Sequence, residues 1–150
     1  MAEIKISELS IGDWVNQKMN DGAYQVQWIE REMVGLIKHT GTEEDGSIRL
    51  TAVPLSFIEP ITLTPEILEK NGFVYSRVTR WYKCELKDTL RTTIGVHYGL
   101  IGADRIEISS ADAFDEDWNT IDVMINKPIK GVHQLQNALR LAGVEKEIEL

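Results

Sequence analysis

Residues 131–143, Gly-Val-His-Gln-Leu-Gln-Asn-Ala-Leu-Arg-Leu-Ala-Gly, constrain the fold of this chain more than any other stretch. Val132, Leu135, Ala138, Leu139 and Ala142 recur at helical spacing and make one apolar stripe. Gly143 stands where a left-handed residue ends a helix, and Val144 can close back on Leu139. No other part of the chain carries so long a helical period; most of the rest is written in the alternations of strands. A lone amphipathic helix needs a surface to cover. The pattern therefore predicts an α+β protein whose last helix lies across sheets. Burying Val132, Leu135 and Leu139 contributes roughly 5–9 kcal/mol, at about 1.5–3 kcal/mol per large aliphatic side chain. That is comparable to the net stability of a small domain.

The sheets are legible in order. Ile4, Ile6, Leu9 and Ile11 lead into Gly12-Asp13-Trp14-Val15, a typical entry to a small-barrel strand. Asn20-Asp21-Gly22 signals a turn, and Tyr24, Val26 and Trp28 then alternate with Gln25 and Gln27. The apolar run on to Ile37 is too long for one flat strand, so a break falls near Glu30–Glu32. Residues 41–47 supply a second hairpin turn, and Ile48, Leu50, Ala52 and Leu55 begin the return. Residues 14–57 thus read as three to five antiparallel strands in an SH3-like curled sheet. A short connecting helix follows: Thr64 is its N-cap, Pro65 its first residue, Leu63 and Leu68 a hydrophobic staple, and Asn71-Gly72 its end. A second antiparallel sheet draws on residues 74–86, 92–100, 104–110 and 120–126. In the first of these, Val74, Ser76, Val78, Arg80, Tyr82, Cys84 and Leu86 are expected to face the core; Ile121, Val123 and Ile125 share a face in the last. The expectation is one compact domain over 1–150, with 1–60 and 61–150 as sub-lobes.

Composition excludes more functions than it supports. The formal net charge is −8 and the pI about 4.9. Nucleic-acid surfaces need clustered Lys and Arg to displace counterions, so DNA and RNA are not expected partners. The same charge disfavours anionic membranes. Cys84 is the only cysteine, which excludes an intrachain disulfide and a thiolate zinc site. The first ten residues, with Glu3, Lys5 and Glu8 among apolar ones, read as neither leader nor anchor, and a cytoplasmic protein is expected.

No enzyme signature stands out, and neither a metal nor a cofactor is expected. His39, His97 and His133 lack partners at metal-ligand spacing. Asp112, Asp115, Glu116 and Asp117 lack the glycine and terminal glutamate of a calcium loop. Gly95, Gly99 and Gly102 are not followed by the Lys-Ser/Thr of a phosphate loop. Two clusters rise above background as ligand-binding candidates. Arg77, Arg80, Trp81 and Lys83 form, with Tyr82, a cationic and aromatic group in an acidic chain, able to stack a base or hold an anion. The plainer reading is a solvent face whose long stems cover apolar surface. His133, Gln136, Asn137 and Arg140 line the polar side of the last helix and can read a ligand, or hydrogen-bond the strand ends beneath.

Three blocks taken together, Leu9-Ser-Ile-Gly-Asp-Trp-Val15, Ile61-Thr-Leu-Thr-Pro-Glu-Ile-Leu-Glu-Lys-Asn-Gly-Phe73 and Gly131-Val-His-Gln-Leu-Gln-Asn137, carry a resemblance. The chain resembles a family of small uncharacterised proteins of anaerobic gut bacteria and their phages and prophages. That resemblance brings no activity with it. It does imply a chain borne by a phage or mobile element, working in the host cytoplasm. With the Arg77–Lys83 cluster, it leads to the expectation of a non-enzymatic binding protein that sequesters a small anionic nucleotide signal of host defence. The alternative is an interaction or assembly module that binds a basic host protein or forms a homo-oligomer.

Overall fold

A computed structural model describes residues 4–18, 20–38, 50–87, 90–112 and 119–150. The expected hairpin turn at 41–47, His39 and most of the acidic connection at 113–118 lie outside the described residues. The protein is α+β; among the described residues there are two open antiparallel sheets of five strands and two α-helices. It divides into two compact units. One comprises Met1–Thr62 with Lys130–Asn137, the other Leu63–Ile129 with Ala138–Leu150.

The first unit is built on β1 (Trp14–Gln17), β2 (Asn20–Glu30), β3 (Met33–Lys38), β4 (Leu50–Pro54) and β5 (Ile58–Pro60). Their spatial order is β4-β3-β2-β1-β5, all antiparallel. The last strand returns beside the first, as in an SH3-like sheet, while the edges β4 and β5 remain unpaired with each other. The expected break falls at Arg31-Glu32, where Arg31 takes φ 54°. The Asn20-Asp21-Gly22 signal is realised differently. The chain reverses between Gln17 and Asn20, and Asp21-Gly22 forms an irregularity within β2, with Gly22 at φ 118°. A residue able to take positive φ can serve a bulge as readily as a turn. Ile4, Leu9, Val15, Tyr24, Val26, Val34, Leu36, Val53 and Ile58 make this unit's core.

The second unit begins at α1 (Pro65–Lys70). Thr64 caps it by accepting from the Ile67 N–H at 3.3 Å, and Leu63 and Leu68 are both buried, so the staple is in place. The Phe73 N–H returns to the Leu68 carbonyl at 3.0 Å beyond Gly72, which sits at φ 86°. The sheet follows as β6 (Val74–Ser76), β7 (Trp81–Lys87), β8 (Leu90–Gly99), β9 (Gly102–Asp112) and β10 (Asn119–Ile125), paired in chain order.

Here the expected single strand over 74–86 is corrected: it is a hairpin. Residues 77–80 form its turn, with Arg80 at φ 60°, and Ser76 faces Trp81. Reversal of the chain overturns the shared parity. Tyr82 and Cys84 point inward, whereas Val74 is exposed opposite Lys83 and Val78 and Arg80 lie in the turn. A slip in register between Ile121 and Val123 likewise separates those two. Ile121 pairs with Ser109 and is exposed, and Val123 pairs with buried Ile108.

The last helix, α2, spans Val132–Leu141, and its stripe Val132, Leu135, Ala138 and Leu139 is buried. Residues up to Asn137 belong to the first unit and the remainder to the second. Gly143 takes φ 70° and the Val144 N–H bonds the Leu139 carbonyl at 2.8 Å, the C-terminal closure that the sequence predicts.

Candidate functional site

The outer face of the second sheet is set by its register. Trp81, His97 and Arg105 stand in one row across β7, β8 and β9; Lys83, Gly95 and Glu107 stand in the next. The other parity, Tyr82, Cys84, Ile94, Val96, Ile106 and Ile108, is buried. Gly95 leaves room for an aromatic ring. A Cβ there would lie 2.9 Å from the Cε3 of Trp81, so the indole rests on the glycine's backbone. The His97 ring meets Trp81 edge-on, with centroids 5.3 Å apart and planes at 65°.

A β-bulge then alters the alternation. His97 pairs with Arg105 but Tyr98 pairs with Ala103, leaving Asp104 as the extra residue. Both Asp104 and Arg105 can therefore line one hollow, which simple alternation would forbid. The Asp104 Oδ1 lies 2.5 Å from the His97 Nδ1 and orients the imidazole. Gly99 makes space for that carboxylate: a Cβ there would sit 2.5 Å from Asp104 Oδ2. Arg105 donates through Nε to the Asn126 Oδ1 at 3.3 Å. Among the described residues, its Nη groups meet no further acceptor.

The resulting hollow measures about 450 Å³ and is lined by Trp81, His97, Asp104, Arg105, Asn126, Lys127 and Pro128. A smaller one of about 230 Å³ lies on the other side of Trp81, against Lys83, Thr93, Gly95, Glu107 and Ser109. Chemically the pair offers an aromatic ring with Lys83 and Glu107 on one side and Arg105, Lys127 and the Asp104-bonded His97 on the other.

The structure thus brings Trp81 and Lys83 together with His97, Arg105 and Lys127, which the local cluster alone did not contain. Arg77 and Arg80 lie instead in the β6–β7 turn, both exposed. Antiparallel pairing of β7, β8 and β9 places His97 and Arg105 beside Trp81, a register that no local pattern of the sequence announces, and Lys127 follows β10. The bulge that adds Asp104 is equally unannounced.

The residues on α2 do other work. Gln136 is buried, accepts from the Trp14 N–H at 2.9 Å and donates to the Gly12 carbonyl at 3.1 Å. Asn137 donates to the Glu8 carbonyl. Arg140 is exposed on the helix's last turn. Gln134 accepts from the N–H groups of Lys130 and Gly131 and holds the helix start. His133 is 1% exposed, and neither ring nitrogen has a partner among the described residues. Burial lowers its pKa below the ordinary histidine value, opposed by the Glu8 carboxylate.

Among the described residues no cluster of His, Cys, Asp or Glu is arranged to hold a metal ion, and no helix is long and apolar enough to cross a membrane. Cys84 is buried on the inner face. Comparison with known proteins finds no matching family model, no matching curated protein and no matching solved structure.

Proposed function

We propose that the outer face of the second sheet binds a small anion bearing an aromatic ring, a nucleotide, and that the protein works by holding this ligand rather than transforming it. One observation carries the reading. Trp81 lies over Gly95 with Lys83 beside Glu107 on one side and Arg105 and Lys127 beside the His97–Asp104 pair on the other, in a chain of net charge −8. A base stacked on the indole gains about 1–3 kcal/mol. The guanidinium fork of Arg105 suits a phosphate in bidentate contact, and Lys127 adds a point charge. The larger hollow is of the size that small-ligand sites occupy. The three-block resemblance supports a chain borne by a phage or mobile element, in which sequestering a nucleotide signal of host defence is the use for such a face.

Calorimetric titration with nucleoside monophosphates, cyclic mono- and dinucleotides and inorganic phosphate tests this. At least one nucleotide should bind with micromolar affinity, inorganic phosphate far more weakly, and Arg105→Gln should weaken the nucleotide about tenfold. Absence of binding by every nucleotide at millimolar concentration would overturn it.

A second reading, an assembly module, is favoured by the open edge strand β10, where Ile121 and Met124 are about half exposed. Light scattering would then show a dimer that Met124→Lys dissolves.

A further inference from the structure

Beyond nucleotide binding, we propose that the end of the second unit formed by the turns 77–80 and 99–102 docks on an anionic lipid surface, inserting Val78, Leu100 and Ile101 between headgroups. These three aliphatic side chains are 95%, 92% and 94% exposed, the most exposed large hydrophobic residues among those described. They also share one end of the sheet. The Tyr98 N–H bonds the Arg80 carbonyl at 2.9 Å, tying the β6–β7 turn to β8 where it enters the β8–β9 turn.

The fold does not ask for apolar residues there. Gly99 pairs with Gly102, and Gly102 takes φ 122°. The glycine thus supplies the positive φ, and neither Leu100 nor Ile101 is in that region. Positions 100 and 101 would accept any small polar residue, as such turns usually do.

Their surroundings indicate the partner. The eight turn residues, Arg77-Val-Thr-Arg80 and Gly99-Leu-Ile-Gly102, include two arginines and no carboxylate, although the whole chain carries −8, and the Asp104 carboxylate that packs against Gly99 is bonded to His97. The average charge disfavours an anionic membrane, but this end departs from the average. Aliphatic tips on convex turns, flanked by guanidinium groups, suit a surface that yields to insertion and is negatively charged. A folded protein partner would need a matching concavity for each tip.

Vesicle flotation tests it, using phosphatidylcholine vesicles with and without about 30% phosphatidylglycerol, a content at which basic residues near the surface are attracted. The full chain should float with the anionic vesicles and bind less as salt rises. The double variant Leu100→Ser/Ile101→Ser, whose side chains touch nothing that folding needs, should lose about tenfold or more of the partitioning. Arg77→Gln with Arg80→Asn should lose the preference for anionic lipid, asparagine being chosen because it tolerates the positive φ at residue 80. Circular dichroism would confirm that both variants are folded. The proposal is overturned if the chain stays in the lipid-free fraction, if the serine variant floats as well as the parent, or if Leu100 and Ile101 serve only to join two copies without lipid.

Discussion

Each unit lays a tryptophan over a glycine on the outer face of its sheet, and the two pairs differ in what surrounds them. In the first unit Trp28 stands opposite Gly35, where a Cβ would lie 2.2 Å from the indole Nε1. Its neighbours across the face are Ala52 in the same row and Glu30, Met33 and Pro54 in the next. In the second unit Trp81 covers Gly95 among Lys83, His97, Arg105 and Lys127. An aromatic ring over a strand glycine is a packing device, shielding backbone that has no side chain of its own. The comparison therefore teaches that the tryptophan alone does not make a site. The proposed site rests on the cations that accompany Trp81 and not Trp28.

The units are also alike in how they fasten a segment distant in sequence. Gln136 closes the first through Trp14 and Gly12. Asn71 closes the second, accepting from the Glu149 N–H at 2.7 Å and donating to the Glu149 and Ile67 carbonyls at 2.7 and 2.8 Å. Removing either amide takes a partner from backbone groups, buried at Trp14 and part-buried at Ile67 and Glu149. Gln136→Ala and Asn71→Ala should each cost about 3 kcal/mol in urea unfolding, the largest effects expected here. A loss below about 1 kcal/mol in one of them would break the parallel.

The glycines sharpen the comparison next. Gly35→Ala should cost about 2–3 kcal/mol and Gly95→Ala about 1–2 kcal/mol, since the added carbon meets Trp28 more closely than Trp81. Only Gly95→Ala should also weaken nucleotide binding. Lys127→Gln should reduce nucleotide affinity about fivefold in calorimetry, roughly 1 kcal/mol, as expected for one charged contact. Neutralising Glu30 beside Trp28, by contrast, should change nothing measurable.

The smallest effect concerns His133. Its folded pKa lies below the unfolded value of about 6.5, so the unfolded chain binds the extra proton first. Stability is then fully present above about pH 6.5 and falls as pH drops toward the folded pKa. The slope due to this one proton cannot exceed about 1.4 kcal/mol per pH unit. His133→Leu should flatten that part of the profile, read by denaturant unfolding between about pH 5 and 7.

Local chemistry made the helices legible. Thr64, Pro65 and Gly72 punctuate α1, and Gly143 with Val144 ends α2, because caps are written in the residues that form them. The Arg31-Glu32 break was likewise visible as a run too long for one strand. Strand register was not. Nothing local shows that 74–86 turns back at residues 77–80, or that extra residues at 104 and 122 shift the alternation of their strands. The candidate site inherits that difference. Trp81 and Lys83 are adjacent enough to be noticed, while His97 and Arg105 reach them only through pairing of strands, and Lys127 only from the segment after β10. On α2 the polar face was legible as polar, yet Gln136 and Asn137 spend their amides on Trp14, Gly12 and Glu8, partners more than a hundred residues away.

The indole resonances test the central claim most directly. In a ¹H–¹⁵N spectrum titrated with the nucleotide that binds best in calorimetry, the Nε1–H signal of Trp81 should shift progressively while that of Trp28 stays in place. Movement of Trp28 instead, or a saturated complex that leaves the Trp81 signal where it was, would contradict the account.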